Sequence, residues 1–183
     1  MQTMTNDRET HLVELVDEAG TPLGAATVAE AHEAPGQLHR AFSVLLVDPD
    51  GRVLLQRRAA SKTRFPLRWA NTCCGHPRPD EPLLDAAALR LQEEIGVSNV
   101  ALREVGSFVY QATDPASSRV EFEYDHVLIG TVPADLATAP DPAEVAELRW
   151  AQRAEVVEAV AAVPEAYSPW LGGVLNATTV DLA

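Results

Sequence analysis

Residues 75–97, "GHPRPDEPLLDAAALRLQEEIGV", decide the fold of this chain. Pro82 suits the first turn of a helix, Asp80 or Glu81 can cap its N-terminus, and Gly96 can end it. Apolar residues recur between these ends at helical spacing, which predicts an amphipathic helix. The predicted core face consists of Leu84, Ala87, Ala88, Leu91 and Ile95.

Charged side chains gather near the C-terminal end of this predicted helix. Arg90 and Glu94 lie one turn apart at the border of the core face, and Glu93 precedes Glu94. Clustered carboxylates late in a helix can bind a hard cation, and such a cation neutralises phosphate oxygens. The end of the helix is therefore a candidate cation site.

A long irregular segment, residues 59–81, precedes the helix and contains both cysteines of the chain, Cys73 and Cys74, just before His76. Adjacent cysteines cannot form an ordinary disulfide, because the bridge needs more widely separated Cα atoms and converging side chains. Loops of this length are usually functional or disordered, and the aromatic residues and cysteines argue against disorder. The pair is either two small buried hydrophobes, or at least one thiol acts chemically beside His76.

The same region carries the one basic cluster, "QRRAASKTR" (56–64), which includes the only lysine, Lys62. The net charge of −13 argues against a nucleic-acid partner, since such binding depends on a basic surface. Arginine can bind a small anion through a bidentate fork and lysine through a point charge. The cluster is either an anion site or a solvated loop.

The remaining patterns predict strands on both sides of the helix and more helix at the end. Strand-like runs occupy residues 11–24 (a short strand and then a turn at "EAGTP"), 40–58 (a hairpin turning at "DPDG"), 100–112, 119–132 and 146–150, and helical patterns occupy 152–163 and part of 165–179. This order predicts an α+β or mixed α/β fold.

Length and composition suit one globular domain: 183 residues, 46% hydrophobic and 22% charged. We expect residues 1–10 to be disordered and 11–183 to form the domain. The polar N-terminus and short apolar runs indicate no export signal and no membrane partner. Two cysteines without such a signal predict a cytoplasmic protein with free thiols. The oligomeric state stays open, with a monomer slightly favoured.

Three histidines and two glutamates are candidate metal ligands. Residues two apart on a strand point to the same side, so Glu121 and Glu123 would present their carboxylates together. With His32, His39 and His76 they would suit an octahedral ion such as Mn²⁺, or Zn²⁺ with an adapted geometry. A solvated strand face and separate surface histidines are the alternative.

The helix region resembles the Nudix box. The matching positions are Gly75, Glu81, Glu93, Glu94, Gly96 and Val97. The usual Arg-Glu pair of the box reads Leu89-Arg90 here, and the missing glutamate disfavours diphosphate hydrolysis. Leu89 points away from the predicted core face, so we expect little effect of this departure on the chemistry.

Longer stretches are similar to the type I isopentenyl-diphosphate isomerases, a Nudix-fold family. They are "AHEAPGQLHRAFS" (31–43), "LLQRRAASKTRFPLRWANTCCGHP" (54–77), "YQATDPASSRVEFEYD" (110–125) and "AYSPW" (166–170). The resemblance covers about residues 10–175 and implies a central mixed sheet with flanking helices. The Nudix core would span about residues 38–172.

The resemblance also implies a role for each candidate residue. Cys74, Glu123 and Tyr110 would be catalytic; Arg58, Lys62, Arg90 and Trp170 would bind the substrate; His32, His39, His76, Glu121 and Glu123 would hold one divalent ion, Mn²⁺ or Zn²⁺; and Glu94 would reach Mg²⁺ bound with the diphosphate. Cys73 occupies a position where the family needs no thiol.

The implied reaction interconverts isopentenyl and dimethylallyl diphosphate through a tertiary carbocation, in isoprenoid biosynthesis. A thiol and a carboxylate on opposite faces of the substrate can divide the two proton transfers, and we assign protonation to Glu123 with Tyr110 and deprotonation to Cys74. The alternatives are a Nudix hydrolase of a nucleoside or prenyl diphosphate and a non-catalytic metal-binding module.

Overall fold

In the computed structural model, which describes residues 8–179, nine strands pair into one mixed sheet, with four α-helices among the described residues. The strands are β1 (Leu12–Val16), β2 (Pro22–Thr27), β3 (His39–Val47), β4 (Arg52–Arg58), β5 (Trp69–Ala70), β6 (Cys73–Gly75), β7 (Arg103–Thr113), β8 (Val120–Thr131) and β9 (Val145–Gln152). The helices are α1 (Val28–Ala31), α2 (Leu83–Ile95), α3 (Arg153–Ala162) and α4 (Leu171–Ala177), and a 3₁₀ turn spans Pro164–Ala166.

Strand β3 is the centre of the sheet. It runs parallel to β8, from His39 opposite Glu123 to Val47 opposite Thr131, and antiparallel to β6, where Ser43 lies opposite Cys74. These pairings bring the N-terminal half of β3, the start of β8 and the second cysteine to one place. The candidate site lies there.

The predicted hairpin over residues 40–58 has its turn, but not a shared ladder. The pairing described between β3 and β4 is Val47 opposite Val53. The rest of β3 pairs with β8 and β6, and the rest of β4 pairs with β9 and β5. Both strands are buried along most of their length. Strands buried on both faces belong to the interior of a sheet, so each takes its partners from elsewhere in the chain.

Helix α2 covers one face of the sheet. Ala87, Leu91 and Ile95 are buried as predicted, and they pack with the β3 side chains Val44 and Leu46. The predicted core positions Leu84 and Ala88 are exposed instead. The buried face is turned towards Ala86 and Glu94, because Glu94 inserts between polar partners beneath the helix.

The two ends of α2 differ in how well the sequence predicted them. Gly96 ends the helix in the left-handed conformation, with φ of 69°. At the N-terminus neither Asp80 nor Glu81 acts as the cap. Pro82 takes that position with extended backbone and no side-chain hydrogen bond. Proline fits there because the first turn leaves its backbone nitrogen without an intrahelical partner in any case.

The other face of the sheet packs against the C-terminal segment. Leu45 and Val47 alternate along β3 with the residues that face α2, and they contact Leu171, Val174 and Leu175. The segment predicted to be irregular, 59–81, contains the short strands β5 and β6. No helix among residues 8–179 is long and apolar enough to cross a membrane.

The N-terminal prediction falls largely outside the described part of the chain, which starts at Arg8. Arg8 and Glu9 lie against the site: Arg8 pairs with Glu93 and Glu9 with Arg64. The first strand continues through the predicted turn into β2, a strand that the sequence pattern does not predict.

Candidate active site

A pocket of about 200 Å³ opens between the N-terminal segment, the end of β4, the strands β6, β7 and β8, and helix α2. Its lining residues of predicted function are Arg58, Lys62, Cys74, His76, Arg90, Tyr110, Glu121, Glu123 and Trp170. The pocket thus combines a cationic side with aromatic and acid/base groups.

Three imidazoles and one carboxylate converge at one end of this pocket, where His76 and Glu123 line it and His32 and His39 are buried behind them. His32 follows α1, His39 begins β3, His76 follows β6, and Glu123 lies opposite His39 on β8. One ligand atom of each residue lies within 4.8 Å of those of the others, and the ring centroids are 4.6–5.2 Å apart. This His/Glu cluster is compatible with a divalent metal ion.

Backbone carbonyls fix two of the rings. His32 Nδ1 is 2.7 Å from the Val28 carbonyl and His39 Nδ1 is 2.8 Å from the Gln37 carbonyl, so in both rings Nδ1 donates and Nε2 faces inward. His39 Nε2 is buried and has no hydrogen-bond partner among the described residues. A buried lone pair aimed at a carboxylate and two other imidazoles is what a bound cation would satisfy.

The charges of the cluster also call for a cation. Burial opposes ionisation of Glu123, but the three neighbouring imidazoles, of which His76 Nε2 lies 2.9 Å from Glu123 Oε1, hold its pKa well below the usual range. Burial opposes the charge on His32 too, yet the nearby Glu121 carboxylate raises the pKa of His32 to about 9. The acidic groups therefore attract positive charge to this end of the pocket.

Glu121 lies beside the group of four. Its Oε2 is 2.9 Å from His32 Nε2, and its Oε1 accepts a hydrogen bond of 3.1 Å from Arg64 Nε. The side chain could be a fifth ligand or could orient His32. The arginine occupies one of its oxygens in either case.

The two cysteines point to opposite sides of β6. Cys73 is fully buried in the core cluster under α2, while Cys74 lines the pocket. Burial and the neighbouring Asp125 raise the pKa of the Cys74 thiol to about 12. The sulfur accordingly carries a proton at neutral pH.

Tyr110 and Glu123 form the other chemical pair. The Tyr110 hydroxyl donates a hydrogen bond of 2.6 Å to Glu123 Oε2. Burial, together with the charge of Glu123, raises the pKa of Tyr110 well above its ordinary value, so the phenol keeps its proton. A protonated phenol bound to a carboxylate can give or receive a proton at this wall.

The cationic side contains the three predicted anion-binding residues. Arg58 donates to the carbonyls of Phe65 and Arg64 at 3.1 and 2.8 Å, and its guanidinium carbon lies 5.2 Å from the Trp170 ring centroid. Lys62 pairs with Glu144, and Arg90 pairs with Glu94. The carbonyl contacts and ion pairs hold these cations at one edge of the pocket.

Glu94 occupies the centre of this charged group. It is 2% exposed, accepts a hydrogen bond of 2.7 Å from Gln56 Nε2 and lies 3.8 Å from Lys62 Nζ. A carboxylate held among cations at the pocket edge could share a second divalent ion with an anionic ligand.

The chain matches a known domain family over most of its length. The NUDIX domain model matches residues 37–171. A protein of Nocardia farcinica named isopentenyl-diphosphate Delta-isomerase is 65% identical over 164 residues, which are 90% of this chain and 92% of that one. The chain belongs to the isopentenyl-diphosphate Delta-isomerase family.

Further comparisons agree with this assignment. An isopentenyl-diphosphate Delta-isomerase of Streptomyces griseus is 50% identical over 92% of this chain and 84% of its own. A solved structure from Deinococcus radiodurans superposes with a TM-score of 0.73 over 91% of this chain and 98% of that one, and at 19% identity it supports the fold alone. The predicted family resemblance and Nudix-like α+β fold are confirmed.

Several site residues in this isomerase family member were not predicted. Arg8 Nη2 is 2.8 Å from Glu93, and Arg8 Nε is 3.3 Å from Glu144. Asp125 accepts a hydrogen bond of 2.7 Å from Ser43. Asp125 continues the alternation of Glu121 and Glu123, so a period of two could have indicated it. Arg8 and Glu144 carry no comparable signal, since each reaches the site from a segment that is distant in the sequence.

Proposed function

We propose that this chain interconverts isopentenyl diphosphate and dimethylallyl diphosphate, with Cys74 and the Glu123–Tyr110 pair as the two proton-transfer groups. The observation that carries the proposal is their shared pocket. A buried thiol, a phenol-bound carboxylate and three cations line one space of about 200 Å³. Isomerisation needs one group that adds a proton and another that removes one, together with a grip on the diphosphate.

The diphosphate would bind at Arg58, Lys62 and Arg90, and the hydrocarbon would point towards Cys74 and Trp170. Two arginines and a lysine suit phosphate oxygens, because guanidinium groups bind them through paired hydrogen bonds and the ammonium as a point charge. The inner wall is aromatic and apolar: Trp170 is 3% exposed, and its ring centroid lies 6.0 Å from that of Tyr110. This division matches a ligand with one charged and one apolar end.

A tertiary carbocation would form when the alkene receives its proton, and water would trap it as an alcohol. The aromatic wall excludes water, and the face of Trp170 can stabilise the cation by on the order of 2 kcal/mol in a desolvated site. Loss of a proton from the neighbouring carbon then gives the isomeric alkene. No phosphate is released in this sequence.

The direction of proton transfer depends on which of the two groups, Cys74 or the Glu123–Tyr110 pair, holds a proton before the reaction. Protonation from the Glu123 side would use the phenolic proton of Tyr110, which the raised pKa retains. Deprotonation by Cys74 requires its thiolate, and the pKa of about 12 places the resting proton on the sulfur. The assignment of protonation to the Glu123 side stays a prediction. It requires the thiol proton to leave Cys74 before the substrate reacts, and Ser43, which lies 3.6 Å from the sulfur and donates to Asp125, offers that proton a route away from the sulfur.

Two divalent ions complete the proposal. His32, His39, His76 and Glu123, with Glu121 beside them, would hold Mn²⁺ or Zn²⁺, and Glu94 would hold Mg²⁺ together with the diphosphate. When bound, such ions supply positive charge that offsets the carboxylates and the diphosphate. A cytoplasmic location, a monomeric state and one domain over residues 11–183 also stay predictions.

The direct test is incubation with isopentenyl diphosphate, Mg²⁺ and Mn²⁺. Appearance of dimethylallyl diphosphate without free phosphate or diphosphate is the expected result. Release of phosphate with no isomer would instead support a Nudix hydrolase. Metal uptake without either reaction would support a non-catalytic metal-binding module.

A further inference from the structure

Asn71 lies directly behind the wall of the pocket. It occupies the link between β5 and β6 and is completely buried. Its side chain reaches two groups that line the pocket from distant parts of the chain, the Cys74 sulfur and the Trp170 indole. Asn71 is uncharged and belongs to no spacing pattern that would indicate a functional role.

The indole fixes the orientation of the Asn71 carboxamide. Trp170 Nε1 can only donate, so the atom 3.0 Å away must be the oxygen Oδ1. The nitrogen Nδ2 then faces the carbonyls of Cys73 and Val44, at 2.9 and 3.1 Å. With the opposite orientation, two donors would meet at the indole and two acceptors would meet at each carbonyl.

Both ends of this fixed amide also touch the reactive sulfur. Cys74 Sγ is 3.2 Å from Asn71 Nδ2 and 3.3 Å from Asn71 Oδ1. One planar group therefore sets where the thiol lies relative to the indole ring. The backbone carbonyls anchor that group to β3 and β6 in turn.

We propose that Asn71 is a positioning residue for isomerisation, an inference that rests on the proposed function. Its carboxamide holds the Cys74 sulfur and the Trp170 ring face in one fixed relation. The Cys74 sulfur must reach the carbon that loses its proton, while the Trp170 ring faces the carbocation centre next to that carbon. A displacement of about 1 Å in such a site can lower a rate on the order of 100-fold.

The fold does not depend on this link for docking the C-terminal segment. Ser168 N donates to the Trp69 carbonyl at 2.8 Å, and Arg68 donates to the Tyr167 carbonyl at 3.3 Å. The Trp170 ring also packs edge-on against Phe65, with ring centroids 5.8 Å apart. Loss of the Asn71 amide should leave the segment in place and free the indole and the thiol to shift.

The test compares Asn71→Leu, which keeps the branched side-chain skeleton and removes every side-chain hydrogen bond, with Thr72→Val. Thr72 is the next residue, is also completely buried, and bonds through its hydroxyl to the Leu54 carbonyl and the Leu46 amide. For Asn71→Leu we expect kcat to fall on the order of 100-fold with KM changed by less than about threefold, because the diphosphate-binding cations are untouched. Thr72→Val should lower Tm while leaving kcat within about threefold.

A second variant reaches the same hydrogen bond from its other end. Trp170→Phe keeps an aromatic ring and removes the indole donor, so kcat should fall there too. Because both changes break one link, the double variant should lose less than the product of the two single losses. Unchanged kcat in Trp170→Phe would overturn the proposal whether or not Asn71→Leu folds, because the indole would then not need its hydrogen bond to Asn71.

The other outcomes are equally decisive. Near-normal kcat in Asn71→Leu overturns the positioning role, as does a loss of kcat that Thr72→Val reproduces at equal Tm. Multiplicative effects in the double variant would show that the two residues act separately. Absence of isomerisation by the wild-type protein would overturn the proposed function itself, and it would be seen before any variant is made.

Discussion

Cys73 and Cys74 are neighbours in the chain but belong to different parts of the molecule. Successive side chains of a strand point to opposite faces, so β6 places the first thiol under α2 and the second in the pocket. Strand alternation thus separates a packing residue from a candidate catalytic one. The sequence established that the pair is unbridged, while the family resemblance indicated which thiol would act.

The cysteine pair provides a matched test at this scale. Cys74→Ala should abolish isomerisation, because the thiol is one of the two proton-transfer groups. Cys73→Ala should retain most activity and lower the free energy of unfolding by about 1 kcal/mol, since it leaves a small cavity in a packed cluster. Turnover by both variants and urea unfolding check this. Near-normal turnover of folded Cys74→Ala would remove the thiol from the mechanism.

The proposed metal donors come from two strands and from the residues that directly follow a third strand and a short helix. His39 and Glu123 are direct register partners on parallel β3 and β8, while His76 follows β6 and His32 follows α1. A ligand that binds the folded form alone raises stability by about 2.7 kcal/mol at one hundred times its Kd. A metal at this junction should therefore connect and stabilise these elements.

Metal addition and removal test that expectation. Adding Mn²⁺ or Zn²⁺ to chelator-treated protein should raise Tm, and His76→Ala should reduce the increase strongly. His126→Ala is the control, because His126 lies on β8 but pairs with Glu104 outside the cluster. Calorimetric melting with and without metal gives the answer. An equal rise in Tm for His76→Ala and the wild type would place the metal elsewhere.

The loop before β9 contributes a pH-dependent contact to α2 and the basic cluster. Burial opposes ionisation of Glu144, but Lys62 and Arg90 lower its pKa from 4.5 to about 2. The folded-state pKa lies below the unfolded value, so this contribution is complete above about pH 4.5 and is lost as pH falls towards 2.

Glu144→Gln should remove this pH dependence. The difference in unfolding free energy between wild type and variant should shrink by about 1 kcal/mol between pH 7 and pH 4. Urea unfolding at both pH values measures it, with Glu158→Gln at an exposed position of α3 as the control. A difference that stays constant over this range would mean that Glu144 is not held ionised by the two cations.

Element types could be predicted from local patterns, whereas the partners of each strand could not. Gly96 could be predicted as the end of a helix, and the alternating runs of β7 and β8 as strands, because each depends on local conformation. The parallel pairing of His39 with Glu123 joins residues far apart in the chain, and nothing in either run specifies it. The exposed Leu84 shows the same limit, because the polar partners of Glu94 set the rotation of α2.

At the scale of the whole molecule, an acidic protein places six of its 14 basic side chains around one pocket. The net charge is −13, yet Arg58, Lys62 and Arg90 all line the candidate site. Family resemblance predicted these residues as a set, because their convergence depends on the complete fold. Asn71 and Glu144 stayed unpredicted, since their importance comes from the side chains packed around them.

The most direct test of the central claim is the reaction in heavy water. Isopentenyl diphosphate incubated with the protein and divalent metal should give dimethylallyl diphosphate with deuterium in its newly formed methyl group and no free phosphate. Mass spectrometry detects the deuterated isomer, and a phosphate assay detects hydrolysis. Cys74→Ala should give neither the isomer nor free phosphate. Phosphate release without deuterium incorporation would contradict the account.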